Sequence, residues 1–334
     1  MIMNSDQNKL PLVTVIITTY NSSGYVLETL ESAGNQTYQN IELIVTDDCS
    51  GDKTVEICRS WIEKNKGKFV KAEVITTKIN TGIAPNQNRA IKSAGGEWIK
   101  IIAGDDILLS NCIESNVSFV LNSSEPISFL FSRHIWFKLN SYGKKMTCTN
   151  EKLVNEYWNK LDRSFFKADA KKQYLKLLKG NRIPASTAFF NKETLIKLGG
   201  FDERFPMIDD YPLWIKATRN NYKLHFNDIE TVLYRKHEDE ISNSKKINAR
   251  YSCDNYSFYK AYRINRYTVL NPFLHLSVNL NYLNHKIILK SGKYTLINRI
   301  LRIMDPNFIK QFICPDENVS AILNESFSEN KNIN

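Results

Sequence analysis

Long apolar runs are absent from this 334-residue sequence, and nothing in it approaches the roughly 18 to 20 consecutive apolar residues that a spanning helix needs. The N-terminus also lacks the charged-then-apolar layout of a secretory signal. Both absences imply a cytosolic protein that reaches a membrane at most peripherally, on the inner face. Paired cysteines are missing too. Cys49, Cys58, Cys112, Cys148, Cys253 and Cys314 are scattered singly, which excludes a zinc knuckle or a CxxC redox centre and leaves reduced thiols as the expectation. No GxGxxG or GxxxxGK[ST] follows the first apolar run, so a Rossmann dinucleotide grip and a Walker phosphate loop are both excluded. Any nucleotide must be held by another device. His134, His225 and His275 are isolated, without metal-ligand spacing, and are expected to pack.

What is present is an ordinary globular composition, 42% apolar and 24% charged, enough for one large α/β core with a smaller appendage. The charge is less ordinary. Twelve Lys and Arg lie between Lys245 and Lys310 against only Asp254 and Asp305, so this stretch carries the whole net excess of +10. Its cations are interleaved with Tyr251, Tyr256, Phe258, Tyr259, Tyr262, Tyr267, Phe273 and Tyr282, a mixture suited to an anionic membrane surface or a lipid-diphosphate acceptor. No recognised binding module accompanies the charge, so nucleic acid is not expected as a partner.

The first hundred residues alternate two periodicities. VTVIIT (13–18), IELIVT (41–46), the 69–76 region and EWIKII (97–102) are short β-branched runs of the kind found in buried parallel strands. Between them, Val26, Leu30 and Ala33 share a helical face, as do Val55, Cys58 and Ile62, and Pro85 could open a third helix. Strand and helix in alternation predict an open, mostly parallel sheet with ligands at the carboxyl ends of its strands. Further along, helices are expected over 111–121 and 169–179 and from Tyr211, strands at 127–132 and 186–190, and a turn at Tyr142-Gly143. YKLHF (222–226) and ETVLYR (230–235) read as a closing strand pair, and the last twenty residues as frayed.

Each predicted strand exit carries polar residues: Thr18-Thr19-Tyr20-Asn21, Asp47-Asp48, Asn80-Thr81-Gly82, and Gly104-Asp105-Asp106. Adjacent carboxylates at the last of these suit a hard divalent cation that also bridges substrate phosphates. Two aspartates that merely end a strand and cap the helix near Asn111 are the bland alternative.

Five blocks, VTVIITTYN, ELIVTDDCSGDKT, NTGIAPNQNRAIKSAGGEWIKIIAGDD, GGFDERFPMIDDYPLWIKA and YRKHEDEIS, resemble glycosyltransferase family 2 in order and spacing across residues 12–242. The resemblance implies a GT-A fold: a Rossmann-like, mostly parallel sheet flanked by helices. The catalytic domain would span 1–243, with a nucleotide-binding half (1–106) and an acceptor-binding half (107–243), and 244–334 would form a basic, mainly helical C-terminal extension. It further implies that Thr18 and Tyr20 line a base pocket, that Asp48 accepts from base or ribose with Asp47 beside it, and that Asn80, Gly82 and Asn88 shape the donor site. Asp106 would ligate Mn²⁺ or Mg²⁺, Asp105 would hold the ribose or the ion's water, His237 would lie by the diphosphate or metal, and Asp210 would be the catalytic base. Two departures stand out: Ala103 replaces the outer aspartate of the commonest metal motif, and Asn86-Gln87-Asn88 replaces a frequent Ala-Arg-Asn, leaving the donor open. The chain has no QxxRW block, so one sugar per encounter is expected.

The resemblance thus implies an inverting transfer of a sugar from a nucleotide diphosphate, with uridine the expected base, onto a glycan or lipid-linked acceptor of surface polysaccharide such as O-antigen or capsule. A nucleotidyltransferase acting on sugar phosphates would also use paired carboxylates and a cation, but has no need of Asp209-Asp210. A non-catalytic glycan-binding protein would not need Asp48, Asp105, Asp106 and Asp210 together.

Overall fold

The computed structural model describes residues 10–139, 145–148, 163–181, 183–237, 249–264, 266–306 and 327–329. The expected turn at Tyr142-Gly143, the boundary at 243/244, Lys245, Lys246 and most of the last twenty residues lie outside these.

Strands β1 (Val13–Thr19), β2 (Ile41–Asp47), β3 (Lys71–Thr76) and β4 (Trp98–Ala103) form a parallel unit in the order β3-β2-β1-β4. Their two-residue side-chain period divides the core between the sheet's faces. Val13, Val15 and Ile17 of β1 join Leu43 and Val45 against helices α1 (Val26–Gly34) and α2 (Thr54–Asn65), whereas Ile16 and Ile44 turn toward α3 (Ile83–Ser93). Burial on both sides explains why β1 and β2 are near-continuous β-branched runs. Beyond β4 the sheet becomes mixed. β8 (Phe189–Asn191) is antiparallel to both β4 and β6 (Phe129–Leu139), and β9 (Leu224–Arg235) runs parallel to β6.

The expected strand pair at 222–226 and 230–235 is a single strand. Asn227 and Asp228 look like turn residues, but the chain continues through them, and the irregularity appears as register shifts against β6 around Arg133. This continuity carries the end of β9 to the exit of β4. There the short β5 (Ile107–Leu108) pairs with it, Ile107 opposite Leu233, immediately after Asp105-Asp106.

Helix α3 is a polar rack between the two halves. Asn86 accepts from Thr46 Oγ1 at 2.7 Å, Gln87 donates to Asp209 at 2.8 Å, and Asn88 donates to Phe201 O at 2.9 Å while accepting from Phe201 N. All three are buried. Gly82 caps this helix at φ +102°, where a Cβ would lie 2.6 Å from Pro206 Cβ.

Helices α4 (Cys112–Leu121), α5 (Ala170–Leu177), α6 (Lys192–Lys197) and α7 (Asp210–Arg219) complete the flanks. In the C-terminal part, α8 (Ala249–Phe258) and α9 (Pro272–Ser291) place Phe258, Leu274 and Val278 in the main core, Phe258 against Tyr211 and Phe205. Of the aromatic residues expected at an anionic interface, Phe258 is buried, Tyr256 stacks on Tyr282 and Tyr259 lies under the Arg263 guanidinium, while Tyr251 and Phe273 stay exposed. Arg263 is itself buried, donating to Leu178 O. The last helix, α10, spans Leu296–Met304.

Gly82→Ala should lower stability by about 1 to 3 kcal/mol, since the new methyl meets Pro206 and the backbone sits in the left-handed half of φ space. Denaturant unfolding measures this; an unchanged midpoint would contradict the packing described.

Candidate active site

The exits of β1 and β2 are laced together. Asp47, fully buried, accepts from Thr19 Oγ1 at 2.9 Å and from Ser50 N at 2.8 Å, while Asn21 Oδ1 accepts from Gly51 N at 2.9 Å. Asp48 is committed as well, to the exit of β3. Its carboxylate accepts from Thr81 Oγ1 (2.6 Å), Thr81 N (2.9 Å), Gly82 N (2.7 Å) and Arg89 Nη2 (3.1 Å). Four donors on two oxygens make Asp48 the anchor of the β3–α3 turn. Arg250 of α8 reaches the same turn from outside, donating to Asn80 Oδ1 and Thr81 O. Of the residues expected to bind nucleotide, Thr18, Tyr20, Asn80 and Asp105 keep exposed surface, whereas Asp47, Asp48 and Asn88 face inward.

At the exit of β4, Gly104 lets the chain pass beside β1, since a Cβ there would lie 2.8 Å from Thr19 Cγ2. The two aspartates then diverge. Asp106 turns inward, accepts Arg235 N–H at 2.9 Å, and is 3% exposed; burial and the neighbouring Asp105 charge push its carboxyl well above the usual range. Asp105 turns outward, with His237 Nε2 at 3.0 Å from its Oδ2. Of the pair, Asp105 keeps the more exposed carboxylate.

Arg235 organises this corner and was not singled out by the sequence. Its Nε donates to Asp105 O at 2.6 Å and its Nη2 to Glu28 at 3.1 Å, and its guanidinium lies between the rings of Tyr25 and Phe137. Tyr25 also packs against the His237 ring, with centroids 5.1 Å apart. The signal that could have found Arg235 is its position two residues before His237 at a strand end, where alternate residues share a face.

Asp210 opens α7, where the helix dipole favours a carboxylate, and accepts from Asn181 Nδ2 at 2.6 Å. Burial, then the Asp209 charge, raise its carboxyl to about 7. Asp209 is raised too, also by burial, with Gln87 opposing the shift. Two acids side by side with raised pKa values titrate as a pair, and a carboxyl raised to about 7 suits general-base work.

Among the described residues no cluster of three or more His, Cys, Asp or Glu forms a complete metal cage. Asp105 and His237 nevertheless fit a cation that draws its remaining ligands from water and substrate phosphate, the usual habit of Mg²⁺.

A parallel nucleotide-binding unit continued by a mixed sheet, with polar strand exits on one edge, is the GT-A glycosyltransferase fold. Residues 14–175 match the model of Glycosyl transferase family 2. The match ends before Asp210 and His237. Among similar curated proteins is UDP-Glc:alpha-D-GlcNAc-diphosphoundecaprenol beta-1,3-glucosyltransferase WfaP of Escherichia coli, 28% identical over 71% of this chain and 82% of that protein. Solved structures with the same fold include S. aureus TarS residues 1–349 in complex with UDP-GlcNAc (TM-score 0.56, 20% identity, 93% of this chain and 83% of that one). Another is the mannosyltransferase PcManGT of Pyrobaculum calidifontis in complex with GDP-Man and Mn²⁺ (TM-score 0.51, 16% identity, 95% of this chain and 80% of that one).

Replacing Arg235 by Met keeps the stem between Tyr25 and Phe137 but removes the donors to Asp105 O and Glu28. Such changes beside a metal ligand typically weaken metal affinity by roughly 10- to 100-fold. Titration calorimetry with Mn²⁺ and uridine diphosphate on Arg235→Met should show a loss of that order, and wild-type affinity would remove Arg235 from the site.

Proposed function

We propose that the protein transfers one sugar, with inversion, from a nucleotide diphosphate donor to a lipid-diphosphate-linked or glycan acceptor in surface polysaccharide synthesis. The observation that carries this reading is Asp210, a carboxylate at a helix start raised to about 7, on the acceptor side of a nucleotide-binding sheet. An acceptor hydroxyl is a poor nucleophile at neutral pH, and a base near that pKa can take its proton as it attacks. Attack opposite the leaving diphosphate inverts the anomeric carbon in one displacement. The name of WfaP, with a UDP-Glc donor and a diphosphoundecaprenol-linked acceptor, supports uridine and a lipid-linked acceptor for this chain also. A lipid-linked acceptor in turn places the enzyme on a cytosolic membrane face; among the described residues no helix is long and apolar enough to cross one.

In this reading Thr18 and Tyr20 flank the base, and Asp48 shapes its pocket by holding the Thr81-Gly82 turn. Asp105 and His237 would hold Mn²⁺ or Mg²⁺, which when bound offsets the negative charge on the donor's diphosphate. Arg235 fixes the backbone that aims Asp105, and Asn181 orients the Asp210 carboxylate.

Incubation with a panel of uridine and guanosine diphosphate sugars tests the reading, because a glycosyltransferase releases nucleoside diphosphate where a nucleotidyltransferase would release pyrophosphate. Excess EDTA should abolish that release and Mn²⁺ should restore it; full turnover in the chelator would overturn the metal assignment. Asp210→Asn should lower kcat by about 100-fold or more with donor affinity nearly unchanged. Because the base acts when deprotonated, wild-type kcat/KM should rise with pH and level off above about 7. A flat profile between pH 5.5 and 8.5, roughly 1.5 units either side of that value, would remove Asp210 from the role.

A further inference from the structure

We propose that α10, together with the segment leading into α9, is the membrane-docking surface of the enzyme, laying an aliphatic face fringed only by cations onto an anionic lipid bilayer. This deepens the reading above, on which it rests only in needing a membrane to be present. The orientation of α10 is inverted relative to an ordinary surface helix. Leu296, Ile297, Ile300, Ile303 and Met304 recur at helical spacing on one side and are 47 to 71% exposed, while the residue turned inward is Asn298, at 2%. Asn298 is held there by hydrogen bonds to Asn284 and by its capping box with Thr295. Leu270 and Phe273, just before and at the start of α9, are more than 70% exposed as well.

Along this stretch of sequence the charges have nearly one sign. From Arg266 to Pro306 the sequence holds Arg266, Lys286, Lys290, Lys293, Arg299 and Arg302, and its single acid, Asp305, is buried and accepts from Asn281. A second copy docking through the same face would set these cations against each other, whereas an anionic bilayer offers phosphates to the cations and acyl chains to the aliphatic face. Phe258 is packed inward and Tyr256 stacks on Tyr282, so the exposed face is carried chiefly by aliphatic side chains, with Phe273 and Tyr294 also exposed.

Co-sedimentation of the full chain with vesicles tests the inference. Wild type should pellet with phosphatidylcholine vesicles that contain phosphatidylglycerol, stay in solution with phosphatidylcholine alone, and be released as salt rises. Ile297→Asp with Ile300→Asp, at exposed positions that leave the core untouched, should cut binding by about 10-fold or more. Arg299→Glu with Arg302→Glu should do likewise. As a check independent of those variants, Ile300→Trp should shift its fluorescence to the blue on adding anionic vesicles. No pelleting with anionic lipid, wild-type binding by the aspartate pair, or an unshifted tryptophan would each overturn the proposal. So would light scattering that shows a dimer which the aspartate pair dissociates. Transfer to a soluble acceptor analogue, measured alongside, should be unaffected by these variants; vesicle failure with intact transfer sinks the docking surface and leaves the enzymatic reading standing.

Discussion

A guanidinium cannot give up its charge inside a protein, so a buried arginine obliges its surroundings to supply acceptors and aromatic faces. Arg235 imposes that demand where β9 ends. Its donors go to Asp105 O and Glu28, its backbone N–H to Asp106, and its flat faces to Tyr25 and Phe137. Four segments are drawn together as a result: the start of α1, the exit of β4, the end of β6 and the end of β9. Lys145 of β7 (Lys145–Cys148) extends the group by pairing with Glu28 at 2.9 Å. With Arg235 so held, Asp106 faces inward and Asp105 faces outward beside His237. The divergence of the two adjacent carboxylates follows from where Arg235 sits.

A second constraint joins this corner to the acceptor side. The acids at 209 and 210 belong to α7, yet Asp209 is held by Gln87 of α3, and α3 is tied to β2 by Asn86 and to the turn at Phe201 by Asn88. The Ile83 N–H bond to Pro206 O at 2.7 Å closes the same frame. The acids at 209 and 210 and the parallel strands are therefore tied to one helix, which fixes their spacing.

Much of this was legible in the sequence because buried parallel strands leave a strong compositional trace. β1, β2 and β4 coincide with their β-branched runs, and Asp105, Asp106 and Asp210 were found as acids at element ends. What was not legible is direction. Sequence shows that Asn86, Gln87, Asn88 and Asp48 are polar, but a hydrogen-bond partner 33 to 122 residues away decides whether they face a ligand or the scaffold. Asn227-Asp228 reads as a turn because those residues favour turns, and only pairing with β6 draws them into one strand. In the C-terminal block, alternating cations and aromatics read alike whether they face outward or pack, since Arg263 uses the same residue types for cation–π packing inside the protein.

The anomeric configuration of the product tests the central claim most directly. One displacement, with Asp210 taking the acceptor's proton, must convert an α-linked sugar nucleotide into a β-linked product, and proton NMR of the purified glycan reads this from the anomeric coupling. The account predicts β-linkage from every α-configured donor the enzyme accepts. An α-linked product, formed with retention, would contradict it.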